Sequence, residues 1–199
     1  MRKLVYLVAT TIDGFVSDAA DSDPTGTVFD PVGAHAAPLM AEYPEMIPTH
    51  IRPMLGLTDT PPKHFDTVLE GRGSYEIGLA GGVTNAYRHL RHLVFSTTMT
   101  GVDDPAIELV NTDPAARIRE LKAEDGLDIW LCGGGTLAGV LRDEIDELHL
   151  KVYPVVLGKG VPLFGIPTQD SRPGLDHFTL RSATPYDSGV SLMIYDRTR

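Results

Sequence analysis

The sequence predicts an α/β fold: a mainly parallel central sheet flanked by helices, closed at its C-terminal end by an antiparallel hairpin. Three observations carry this. Strand-like apolar runs alternate with helix-like ones up to about residue 153; the run IWLC (129–132) breaks directly into three glycines that open a helical pattern; and the last two runs, HFTLRSA and GVSLMIYD, alternate with period two about the turn-forming PYDSG. The 199 residues, 42% of them hydrophobic, suffice for one substantial core, so a single domain over 1–199 is expected.

The elements follow in order. LVYLVATT (Leu4 to Thr11) reads as the first strand; it is too short to span a membrane and runs straight into Asp13 and Gly14. Residues 17–66 are rich in Pro, Asp, Gly and His, with short helices suggested only by AHAAPLMAEY and HIRPMLGL. So long an irregular segment in a compact domain points to a substrate-side cover, although a surface insertion gives the same pattern. Thr67 to Leu69 and His92 to Ser96 read as strands. Asp113 and Pro114 then supply the N-cap and N1 proline of a helix carrying Ile118 and Leu121, ended by Gly126. Asp128 to Cys132 is the next strand, Leu137, Val140 and Leu141 follow helical spacing up to Asp143 or Glu144, and Leu148 to Tyr153 returns to a strand.

Charge and cysteine content narrow the function. A formal net charge of -10 repels phosphate backbones and anionic lipid, which argues against nucleic acid and membranes as partners. Cys132 is the only cysteine, so neither an internal disulfide nor a thiolate zinc site can form, and a reducing cytoplasmic setting is expected. His89 and His92 lie three apart without a third ligand nearby; they read as surface histidines, and no metal site is expected.

Three stretches carry chemistry. In WLCGGGTLAG, a strand ending in Gly133, Gly134 and Gly135 at a helix start exposes backbone N–H groups at the positive end of the helix, an anion site. The stretch also fits the relaxed dinucleotide pattern through Gly133, Gly135 and Ala138, yet the following strand leads into PVVLGKG, which lacks the carboxylate a Rossmann ribose site requires. A glycine turn that merely brings a helix close to the sheet explains the motif equally well. LEGRGSYE tips the balance: Gly71, Arg72, Gly73 and Ser74 bring amides, a guanidinium and a hydroxyl to another helix start, and Arg suits phosphate by geometry as well as charge. VFSTT ends a third strand with Ser96, Thr97 and Thr98. In an open parallel sheet all three fall on the C-terminal strand edge, where a dinucleotide can lie across them.

These blocks, together with VATTIDGFVSD, LRDEIDELHLKVYPVVLGKGVPLF and SGVSLMIY, resemble the dihydrofolate reductase superfamily, most closely the branch of the RibD C-terminal reductase domain of riboflavin biosynthesis. The resemblance covers most of the chain except the poorly matched 17–66. It implies the three-layer dihydrofolate reductase-like fold, NADPH as cofactor, a small heterocyclic substrate, pyrimidine-like or pterin-like, and a homodimer. By position it implies that Ala9 meets the nicotinamide carboxamide through its backbone and that the loop from Gly14 to Val16 closes over the ring; Cys132 abuts the glycine loop like a nucleophile but has no base partner in the sequence, and reads as a small buried residue beside the nicotinamide. Arg72 and Ser74 would grip phosphates, with Arg72 favouring the 2′-phosphate; Ser96 and Thr97 would sit near the adenosine ribose phosphate. Gly133, Gly134, Gly135, Thr136 and Leu137 would form the pyrophosphate loop, with a cis peptide between the first two glycines.

A carboxylic acid would serve the accompanying proton transfer. The superfamily places it on the helix after the first loop, which here falls within 17–66, where Asp30, Glu42 and Glu45 are candidates and Glu42 is preferred for its helix. The classical tryptophan of the first loop is missing; Trp130 stands in a later strand, so folate itself is disfavoured. If the substrate carries a ribose phosphate, as in the 5-amino-6-(5-phosphoribosylamino)uracil reductase step, Lys151 or the Gly158-Lys159-Gly160 turn could meet it, although Lys159 also reads as a plain turn lysine. Two other readings remain: a non-catalytic nucleotide-binding protein on the same fold, and an NAD-dependent Rossmann oxidoreductase.

Overall fold

The computed structural model describes residues 1–20, 22–165 and 174–198. In chain order it forms β1 (Leu4–Thr11), β2 (Phe15–Ser17), α1 (Ala36–Glu42), β3 (Phe65–Gly71), α2 (Arg72–Ala80), β4 (Arg91–Phe95), β5 (Ile107–Val110) and α3 (Pro114–Ala123). There follow β6 (Asp128–Gly133), α4 (Gly135–Val140), β7 (Glu147–Tyr153), β8 (Val161–Pro162), β9 (Phe178–Pro185) and β10 (Ser191–Arg197). Single 3-10 turns stand at Pro44–Met46, Arg52–Leu55 and Arg142–Glu144.

One sheet has the order β5-β4-β3-β6-β1-β7-β10-β9, and β2 and β8 make a small second ribbon. Every pairing from β5 through to β7 is parallel, whereas β10 runs antiparallel to both β7 and β9. The expected hairpin therefore closes one edge, and the C-terminal ends of β1, β3, β4, β6 and β7 share one rim. Central strands covered on both faces need apolar side chains on both, which is why LVYL in β1 reads as an unbroken run. Leu4 and Tyr6 pack with Ile118 and Leu121 of α3 and with Leu137 and Ala138 of α4. Val5 and Leu7 face the other way, against Trp130, Phe65, and Leu39 and Tyr43 from the 17–66 segment. Three layers result, and that segment supplies part of the third.

Asp113 caps α3 as its sequence position predicts, accepting from the backbone N–H groups of Ala115 (2.9 Å) and Ala116 (3.3 Å). Asp113→Ala should cost about 1 kcal/mol, read as a lower urea midpoint with an unchanged slope. Other boundaries move. β3 extends beyond 67–69 at both ends because parallel neighbours on each side supply ladder partners. α4 stops at Val140, and the chain completes its path to Glu144 as a 3-10 turn. The short β2, β5 and β8 carry too few residues to show a period. Among the described residues no helix is long and apolar enough to cross a membrane.

Candidate active site

Two glycine-bearing loops converge on the C-terminal rim. Gly71 ends β3 and caps α2, Gly134 caps α4, and among the described residues neither helix start receives a capping side chain, which leaves their first N–H groups available to a ligand. The loops are so close that a Cβ on Gly71 would lie 3.5 Å from the Gly134 nitrogen, and one on Gly133 would lie 3.0 Å from Ser74 Oγ. The tightest of these contacts is to the Ser74 hydroxyl, and none of these glycines has a positive φ. The Gly133-Gly134 peptide is cis, as the resemblance implies. Gly135 begins α4 buried, with Leu137 beneath the loop and Thr136 on its exposed side. Arg72 and Gly73 occupy the first turn of α2, with the Arg72 guanidinium exposed and 3.7 Å from Glu76.

The remaining expected contacts divide. Ala9 lies near the end of β1, half-buried, and Gly14 turns the chain at φ +83° before Val16 enters the small ribbon. That turn is tied down: Thr11 Oγ1 accepts from Phe15 N–H (3.0 Å), and Asp13 accepts from Gly158 N–H (2.7 Å). Ser96 and Thr97 reach the same rim at the end of β4. Ser96 Oγ, however, accepts from the N–H groups of Thr98 (3.2 Å) and Met99 (3.0 Å), closing its own turn, and Thr97 is exposed.

The structure does not bring the expected acids to this rim. Glu42 ends α1 over the opposite, N-terminal edge, where it pairs with Lys63 and, at 2.9 Å, with His64, in a pocket also lined by Lys3 and Asp128. A strong hydrogen bond from Lys63 outweighs burial and holds its carboxyl below the usual range. Glu45 is fully buried and accepts from His64 N–H (2.7 Å) and Phe65 N–H (2.9 Å), so it caps the start of β3. Asp30 is exposed and accepts from Val32 N–H at 2.9 Å. Glu42 thus stands away from this rim: a helix position predicts accessibility, but here long-range ion pairs hold the side chain at the opposite end of the strands.

A different polar group lies beneath the rim. Glu70, the last side chain of β3 before Gly71, is buried, with Oε2 2.8 Å from His92 Nε2. Asn85 Oδ1 accepts from Tyr87 N–H (3.2 Å) and lies 3.0 Å from His92 Nδ1, which fixes that nitrogen as a donor. His92 is 1% exposed, which corrects its reading as a surface histidine; His89 is half-buried between Thr49 and the Glu45 carbonyl. Cys132 is half-buried beside Tyr87, whose hydroxyl is 3.8 Å from the sulfur. Burial, reinforced by the charge of Glu70, pushes the thiol up, which makes it a poor nucleophile at neutral pH. Among the described residues no cluster of His, Cys, Asp and Glu could hold a metal ion.

The RibD C-terminal domain family matches residues 66–192, more than half of the chain, from β3 into β10. The chain belongs to that family. Among curated relatives, the uncharacterized protein YwjB of Bacillus subtilis (strain 168) is 34% identical over 109 residues, which span 54% of this chain and 63% of YwjB. Among solved structures, a putative riboflavin biosynthesis protein from Shewanella sp. PV-4 superposes with a TM-score of 0.70 at 23% identity, each chain fully covered. A deaminase/5-amino-6-(5-phosphoribosylamino)uracil reductase from Thermotoga maritima gives 0.63 at 15% identity, over 99% of this chain and 57% of its own. These likenesses show the reductase-like α/β fold.

The family match begins at Asp66, just ahead of the buried Glu70 that residue reading passed over. A signal was there. A carboxylate inside the apolar run TVLE, on a strand of a parallel RibD C-terminal sheet, is out of place unless something pairs with it. His92 in RHLVF is the matching anomaly on the neighbouring strand.

Proposed function

We propose that the chain is an NADPH-dependent reductase of a small heterocycle, pyrimidine-like or pterin-like, with 5-amino-6-(5-phosphoribosylamino)uracil the first substrate to test. The observation that carries this reading is the approach of the 71–74 and 133–137 loops, which face each other in van der Waals contact with helix starts that carry no capping side chain. Such a cradle fits a diphosphate. The amides of Gly134, Gly135 and Thr136 and the hydroxyl of Ser74 would hold it, and the Arg72 guanidinium is free enough to take a further phosphate. The cofactor supplies hydride; the protein supplies orientation and a water-poor floor made by Ala9 and Cys132.

Titration of purified protein by NADPH fluorescence tests the binding half. Saturable NADPH binding is expected, and Arg72→Ala should weaken NADPH about tenfold to a hundredfold while leaving NADH within about threefold. Equal losses for both cofactors would remove the 2′-phosphate role of Arg72, and no saturation by either would end the reading. Consumption of NADPH with 5-amino-6-(5-phosphoribosylamino)uracil or 7,8-dihydrofolate tests the catalytic half; binding without turnover favours the non-catalytic nucleotide-binding protein.

A further inference from the structure

We propose that Lys151 is the proton donor of this site, the group that protonates the nitrogen or oxygen of the substrate bond being reduced. This rests on the reductase reading above. Lys151 stands on β7 directly opposite Ala9 of β1 and Leu192 of β10, on the sheet face that also carries Cys132. It is half-buried, and its ammonium meets Met46 Sδ at 3.4 Å, with no carboxylate among the described residues in ion-pair contact. The buried Lys122 pairs with Asp146, and even the exposed Lys3 and Lys63 pair with Glu147 and Glu42. A half-buried ammonium left without a counter-ion is costly to keep unless it has a ligand to serve.

The groups facing it leave that role to Lys151. Ala9 and Leu192 are apolar, and Met46 comes from the turn above. Cys132 is held as a thiol. The same-face neighbours on β7 are occupied, His149 by Tyr43 (2.9 Å) and Glu147 (2.8 Å), and the Tyr153 hydroxyl by His35 (3.2 Å). Burial lowers the ammonium from its ordinary value, against a smaller opposing effect of Cys132, and so makes it a readier acid at neutral pH. In the step, hydride from a dihydronicotinamide adds to the carbon of a C=N or C=O bond. The π pair moves onto the heteroatom, which takes H⁺ from Lys151; the lysine is left as the neutral amine, the reductant is oxidised to the pyridinium, and solvent reprotonates the amine.

The test uses kcat against pH with NADPH and whichever of the two named substrates turns over, for wild type, Lys151→Met and Lys151→Arg. Wild-type kcat should fall as pH rises through the lysine's lowered pKa. Lys151→Met should lose about a hundredfold to a thousandfold in kcat and lose that alkaline limb, with NADPH affinity by fluorescence unchanged. Lys151→Arg keeps the charge but not the acidity and should fall equally; rescue by arginine, or kcat in Lys151→Met within threefold of wild type, overturns the proposal. Competitive acetylation of the wild-type protein with acetic anhydride, read by mass spectrometry across pH, needs neither substrate nor variant. It should give Lys151 an apparent pKa below those of Lys63 and Lys159, and a value at the ordinary lysine level of about 10.4 overturns the assignment. If neither substrate reacts, the reductase reading loses its catalytic half, while the acetylation result still decides the state of Lys151.

Discussion

Gly139→Ala is expected to be among the most damaging single substitutions in the chain. A Cβ at Gly139 would lie 1.7 Å from the carbonyl oxygen of Gly165, and one at Gly135 would lie 2.0 Å from that of Pro162. Both obstacles are backbone, so no side-chain rotation relieves the overlap, and the 161–165 segment must lift away from α4. A loss of about 3 kcal/mol is expected, or roughly 6–12 °C in Tm for a domain of this size. NADPH affinity should fall with it, because Gly165 N–H donates to Gly135 O at 2.8 Å and thereby holds the start of α4. Gly101→Ala is the control: nothing lies within 4 Å of its Cβ position and its φ is not positive, so its Tm should stay near wild type. Equal melting of Gly139→Ala and Gly101→Ala would show that the segment yields freely.

Glu147→Gln should destabilise the protein by about 3 kcal/mol at pH 7. Glu147 is 4% exposed and lies between Lys3, His149 (2.8 Å) and Arg181 (2.7 Å). Burial alone would raise its carboxyl, but hydrogen bonds from His149, Arg181 and Lys3 outweigh it and hold the group well below the carboxylate range. The sign follows from linkage. With the folded pKa depressed, the stabilisation is complete above the unfolded value of about 4.3 and is lost as pH falls from there toward the folded pKa. Urea midpoints at pH 7, 5 and 3.5 should therefore show wild type and Glu147→Gln drawing together only in the most acidic sample. A gap that stays constant from pH 7 to 3.5 would mean that the glutamate contributes by shape and not by charge.

The parallel core and the terminal hairpin were legible because their signals are local: apolar runs of sufficient length, a proline after a capping aspartate, and a period of two around PYDSG. The rim loops were legible for a related reason, since glycines beside Arg72 and Ser74 declare themselves within a few residues. The acid was not. Glu42, Glu45 and Asp30 look alike in sequence, and what separates them is Lys63, His64 and the backbone of β3, contacts made across about twenty residues of irregular chain. Lys151 was legible as a possible phosphate contact, but its lack of a counter-ion among the described residues is a property of the assembled sheet. His92 misled because spacing from His89 says nothing about Glu70, which reaches it only once β3 and β4 pair.

The placement of β1 also bears on how the protein is made. Its two neighbours are β6, reached by the pairing of Leu4 with Ile129, and β7, reached by that of Val5 with Glu147. At ribosomal rates of about 5–20 residues per second, the first strand waits roughly 6–25 s for its first partner. During that interval LVYLVATT, among the most apolar stretches in the chain, has no sheet to enter. Nascent-chain holdases should accordingly matter most for the N-terminal third of this protein, and fusing a bulky domain behind Arg199 should disturb its biogenesis less than slowing translation between residues 66 and 128.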